Sequence, residues 1–245
     1  MGVSETSSAP KPLPPPETFS QKSYERRFSF LQRLFKVLFS PKEGVEDVAL
    51  APSYGEIFGI LVIQMIVVLM VIALAFSKIQ FMGLSFLPAF WSILMFAIVI
   101  AVVFAYGLLI AIWLIESVIV KFACSRGSSW DLKPAASITG YTFLVDIVLS
   151  IVGAAVLWPF IPWITIDITN LELAQQTIAA LRSQLNWLRL CQLPFSFLGI
   201  AWKSYLGGLG ANFGTGGKCS RKLGFAVFFC LGLVSLPISY IMQQF

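Results

Sequence analysis

Residues 54–76 read YGEIFGILVIQMIVVLMVIALAF, and this stretch decides the fold. Its one charged side chain, Glu56, lies in the first turn, and the remainder is apolar enough and long enough to cross a bilayer as a helix. Ser53 stands three residues before Glu56, the spacing of a capping box in which a hydroxyl and a carboxylate satisfy the free amides of a first helical turn. Working outward, four further stretches meet the same requirement, at about 86–120, 137–158, 185–206 and 223–242. The second is longer than hydrocarbon demands, so it tilts or projects. The third stops near Pro159 and Pro162, the fourth carries Pro194 as a kink, and the fifth holds no charge. The expected fold is all-α: a polytopic membrane protein with a five-helix transmembrane bundle over 53–245. Cytoplasmic amphipathic helices over 20–52 and a disordered Pro-rich tail over 1–19 precede it.

The composition agrees. Hydrophobic residues make up 58% of the 245 and charged residues 12%, where a soluble domain carries roughly 25% charge. Too few polar side chains exist to cover a water-soluble surface. The absence of His removes the usual general base near neutral pH and the commonest metal ligand. The four cysteines (Cys124, Cys191, Cys219, Cys230) form no CxxC spacing, and no metalloprotease or aspartyl-pair pattern is present, so neither enzyme, metal nor cofactor is expected. Cys124 and Cys219 face the cytoplasm near the bilayer, as plain thiols or S-acylation sites.

Orientation follows from charge. Seven Lys/Arg precede the first span: Lys11, Lys22, Arg26, Arg27, Arg33, Lys36 and Lys42. Lys121, Arg126 and Lys133 follow span two, and Lys203 at the end of span four is counted with Lys218, Arg221 and Lys222 of the connection after it, against only Lys78 and Arg182 on the other side. The N-terminus is therefore cytoplasmic and the C-terminus external or lumenal, in a cell membrane for a prokaryote or an endomembrane for a eukaryote. Trp91, Trp113, Trp158, Trp163 and Trp202 fall near span ends, as an interfacial aromatic belt requires.

On a helical wheel over 20–39, Tyr24, Phe28, Leu31, Leu34, Phe35, Leu38 and Phe39 share one apolar arc. Lys22, Arg26, Arg33 and Lys36 lie opposite, with Arg27 at the margin. Such a helix lies in the membrane interface, its basic residues drawn to anionic lipid head groups; packing on the bundle is the alternative. The wide apolar face excludes nucleic acid as the partner. Ser40-Pro41-Lys42-Glu43 then restarts a helix, with Ser40 as N-cap and Glu43 closing a second capping box.

Three ionisable residues are read as lying inside the bilayer: Glu116, Asp146 and Arg189. Glu116 and Asp146 lie at comparable depth, where they can face a small polar cleft with Tyr141, Thr142 or Lys203. A proton or cation site is one reading, and hydrogen-bonded glue between helices is the other and the favoured one. Arg189 lies nearer the outer boundary and reaches the interface. The Gly-rich stretch 207–218 lacks both the first Gly and the Ser/Thr of a phosphate loop, leaving a hinge or a close helix contact. GxxxG spacings at Gly55/Gly59 and Gly210/Gly214 permit helix association, including a homo-oligomer. Thr169-Asn170-Leu171-Glu172, followed by Leu173, Ile178, Leu181 and Leu185, suggests a short capped amphipathic helix on the outer surface that leads into span four.

From Leu34 onward the order of features resembles the Yip-domain family, the Rab/Ypt-interacting membrane proteins and their prokaryotic relatives. The matching features are Leu38-Phe39-Ser40-Pro41 before span one, Gly140-Tyr141 in span three, and Trp202-Lys203 with Leu206 and the Gly-rich link. The basic Ser220-Arg221-Lys222 start of span five completes them. Pro52-Ser53-Tyr54-Gly55 departs from the DLYGP-like motif of eukaryotic members and points to the prokaryotic-like branch. The resemblance implies five membrane helices, a membrane-trafficking or membrane-shaping role, and a small GTPase or other membrane protein as partner. The expected function is thus a non-enzymatic multi-pass protein that organises membrane or recruits a cytoplasmic partner. The alternative is a small transporter or ion channel using Glu116 and Asp146.

Overall fold

The computed structural model describes residues 24–82, 88–125, 130–167 and 169–242; the tail over 1–19 and Lys22 lie outside them. Two short helices, α1 (Phe30–Phe39) and α2 (Pro41–Leu50), lead into α3 (Tyr54–Phe76). Then come α4 (Pro88–Cys124), α5 (Leu132–Leu157), α6 (Leu171–Gly214) and α7 (Arg221–Met242). Among the described residues, three stretches are long and apolar enough to cross a membrane: Tyr54–Phe76, Met95–Cys124, and Leu132–Phe160, where α5 extends through a single 3₁₀ turn. Large apolar side chains such as Val103 (67%) and Phe104 (72%) on α4 are exposed, which in water would be costly and in lipid is the ordinary state.

The hub is α5. It is buried on every side from Ala135 to Val145, against α3, α4 and α6. Small residues admit those neighbours: at Gly140 a Cβ would lie 2.5 Å from Ile57 Cγ2 of α3. Hydroxyls in this stretch are satisfied within the helix, with Thr139 donating to the Ala135 carbonyl at 2.9 Å and Thr142 to the Thr139 carbonyl at 2.7 Å. One apolar cluster joins Ala49 of α2, Cys124 of α4, Trp130, Ala135 and Ile138 of α5, Ala211 of α6, and Cys219 with Phe228. The C-terminal ends of α2, α4 and α6 therefore meet the N-terminal ends of α5 and α7 at one end of the bundle. Cys124 and Cys219 are buried in it, which closes them to an acylating enzyme.

Several expectations are corrected. Among the described residues the first helix begins at Phe30, and the expected helix over 20–39 is not continuous: 24–29 are non-helical, with the Arg27 backbone N–H donating to Asp47 Oδ1 at 2.9 Å. Helix α1 opens instead on Ser29, whose N–H donates to Gln32 Oε1 at 3.0 Å. Neither expected capping box closes: Ser53 and Ser40 make no side-chain cap hydrogen bond, and Glu56 and Glu43 are engaged elsewhere. Trp113 is core rather than belt, buried with its Nε1–H donated to the Ala136 carbonyl at 2.9 Å. Asn170 caps its helix through Leu173 N–H at 3.1 Å, but that helix and the fourth expected span are one, running through Pro194. The Gly-rich stretch is helical to Gly214 and serves close contact: Gly207 and Gly208 face Phe228 and the Phe225 backbone of α7. The reversal uses Gly216 and Gly217 at φ 60° and 86°, where side-chain-bearing residues are strained.

Two strands also appear that hydropathy did not announce. β1 (Ile79–Met82) and β2 (Ile164–Asp167) pair in parallel, Ile79 opposite Ile164 and Met82 opposite Asp167. They tie the α3–α4 and α5–α6 connections together at the other end. Lys78 beside them is buried, its Nζ 4.3 Å from the Trp158 ring centre and 5.0 Å from that of Trp163.

Candidate functional site

Two constellations carry the chemistry. The first is a charge knot where α1 and α2 meet α3 and α5. Arg33 is fully buried, its Nε donating to Asp47 Oδ2 at 2.7 Å and its Nη1 to Glu56 Oε2 at 2.8 Å. Nη1 also donates to the Ala51 carbonyl at 2.9 Å and Nη2 to the Asp47 carbonyl at 3.2 Å. Glu56 Oε2 accepts from Tyr141 OH of α5 at 2.7 Å, and Arg26 Nη2 lies 2.5 Å from Glu56 Oε1. Burial works against the Arg33 charge, but the hydrogen bonds to Glu56 and Asp47 outweigh it and raise its pKa above the ordinary arginine value. One guanidinium thus bonds to α2, to the α2–α3 turn and to α3, while Tyr141 brings in α5.

This placement corrects the expected membrane-surface set. Arg33 does not face lipid head groups; it is the core of the knot. Arg26 stays partly exposed while pairing with Glu56, and Arg27 lies over the Tyr24 ring at 5.1 Å. Lys36 pairs with Glu43 at 2.5 Å and sits over the half-buried Phe28 at 5.4 Å, holding the Glu43 carboxyl below its usual range. Phe35 is 64% exposed, in a stripe with Leu31 and Phe39. Helix α1 therefore has two apolar faces: Leu34, Val37 and Leu38 pack on the bundle core, and the stripe is bare.

The second constellation lies within the bundle. Lys203 Nζ of α6 donates to Asp146 Oδ2 of α5 at 2.7 Å and lies 4.9 Å from the Phe143 ring centre. Glu116 of α4 shares a cavity of about 690 Å³ with them. The expected cleft thus exists and is far roomier than a small polar notch. Tyr141 and Thr142 are not part of it, their hydroxyls being committed to Glu56 and Thr139. The Arg189 side chain lies outside the described residues. Among the described residues no group of His, Cys, Asp and Glu is placed to hold a metal ion.

Sequence reasoning missed Asp47 and the burial of Arg33. The available signal was Val37, one turn beyond Arg33 and on its side of the wheel, which marks that side as inward. No protein-family model, curated protein or solved structure matches the chain.

Proposed function

We propose that the chain is a five-span, non-enzymatic membrane protein of the Yip-domain type whose cytoplasmic platform, α1 and α2, organises membrane or recruits a small GTPase or other membrane protein. The Arg33 knot carries this reading, because it fixes the platform rigidly to α3 and α5 while leaving Leu31, Phe35 and Phe39 bare at the same end. A bare aromatic stripe beside Arg26, Lys36 and Lys42 suits insertion into an anionic leaflet. Helices α6 and α7 supply the fourth and fifth crossings, and the gathering of the basic connections at the platform end supports a cytoplasmic N-terminus.

Full-length protein with its native cysteines replaced tests both parts in vesicles. With single substitutions Lys42→Cys, Lys218→Cys and Glu172→Cys, an impermeant maleimide is expected to label the first two from one side and the third from the other. Labelling of all three from one side would falsify the five-span arrangement. Nitroxides at Phe35→Cys and Phe39→Cys are expected below the head groups, deeper with anionic lipid; nitroxides in water with either lipid overturn the platform.

A second reading is transport through the bundle, favoured by Glu116, Asp146 and Lys203 sharing one cavity. Solute or proton flux that Glu116→Gln or Asp146→Asn abolishes supports it, and flux indifferent to both removes it.

A further inference from the structure

The cavity is asymmetric. Its charged residues, Glu116, Asp146 and Lys203, sit at the level of Asp146 on α5. From there it runs along α5 through Gly153 to Trp158, roughly 18 Å at the α-helical rise, between walls that are mostly aliphatic. About 690 Å³ lies within the range of sites that hold a small organic molecule. At Gly153 an added Cβ would meet nothing within 4 Å, so the space is open where a tail would pass.

The charges select the ligand. Asp146 is answered by Lys203 at 2.7 Å. Glu116 has no hydrogen bond or ion pair among the described residues, so the ionised group of three carries one net negative charge. A carboxylate that shares its neighbouring cation, Lys203, with Asp146 favours a further cation beside it in a low-dielectric site, and the apolar walls favour one that brings a hydrocarbon tail.

We propose that this cavity binds an amphiphile with a positively charged ammonium head and an apolar chain, the head beside Glu116 and the chain directed toward Trp158. The site stands apart from the platform reading and gives the second reading a ligand class, but binding does not require transport. Both sources of such a head, a membrane aminophospholipid and a free long-chain amine, present the same chemistry to Glu116.

The test uses the full-length protein in an uncharged maltoside detergent, with a diazirine-bearing dodecylamine and the matching dodecanol as probes. After illumination, peptide mass spectrometry is expected to place the amine adduct on cavity-lining segments of α5 and α6, at least about tenfold over the alcohol, a preference set by one buried charge contact. Glu116→Gln is expected to remove that preference, and Gly153→Phe to block both probes by filling the tail channel, with melting curves confirming that each variant folds. Glu172→Gln, an exposed acid at the start of α6, is expected to change nothing. Competition by phosphatidylethanolamine identifies the membrane source, and competition by unlabelled dodecylamine alone identifies the free amine. Equal labelling by amine and alcohol, a preference that survives Glu116→Gln, or no competition by either compound overturns the proposal. Flux measurements play no part, so failure of the transport reading leaves this result unaffected.

Discussion

Arg33 is the residue on which the platform turns. Removing it leaves Asp47 without a cation and Glu56 with only the partly exposed Arg26, so Arg33→Met is expected to cost about 3–5 kcal/mol of stability. Arg33→Lys is expected to recover only part of this, since one ammonium cannot reach Asp47, Glu56 and the Ala51 carbonyl in the geometry of a guanidinium. Tyr141→Phe deletes a single charge-assisted hydrogen bond and is expected to cost about 1.5–3 kcal/mol. Thermal unfolding in detergent checks all three, and an Arg33→Met protein that melts like wild type sinks the account. The Lys36–Glu43 pair makes a smaller, pH-dependent contribution. Because Lys36 lowers the Glu43 pKa, that contribution is present above the ordinary carboxylate pKa and lost as pH falls through the lowered value. Lys36→Gln is therefore expected to melt slightly below wild type at neutral pH, with the two curves converging in acid.

At the scale of elements, α1 and α2 cross so closely at Gly44 that a Cβ there would meet the Val37 backbone. Backbone cannot yield as a side chain end can, so Gly44→Leu is expected to detach α1. Faster protease cleavage between α1 and α2 checks this, and an unchanged digestion pattern contradicts it. The same pair of helices shows where sequence reading succeeds and where it stops. Tyr54–Phe76 was legible because one long apolar run has a single physical solution. The two-sided character of α1 was not, since a wheel sorts residues by polarity and assigns every charge to solvent, whereas Arg33 turns inward to two carboxylates on α2 and α3. β1 and β2, four residues each, were too short for periodicity to register. Glu116 and Asp146 were visible as costly intramembrane charges, but the cavity between them and Trp158 depends on how five helices lean together.

At the scale of the whole molecule, the four thiols report on packing. Cys124 and Cys219 are buried where helix ends converge, and Cys191 and Cys230 are exposed on the outer faces of α6 and α7. A membrane-permeant maleimide is expected to spare Cys124 and Cys219 in native protein and to add to all four only after unfolding, as read by peptide mass. Modification of Cys124 and Cys219 in the folded protein would contradict the convergence of α4 with the α6–α7 turn. The knot described above also constrains how the chain is assembled during synthesis. Glu56 has Arg26 and Arg33 as partners from the start but must wait for Tyr141, 85 positions later, for its third. Until α5 has been threaded into place, the first two helices are only provisionally docked. A chain whose synthesis halts before α5 emerges keeps both arginines on that acid but lacks the one bond that ties the early helices to the rest of the bundle.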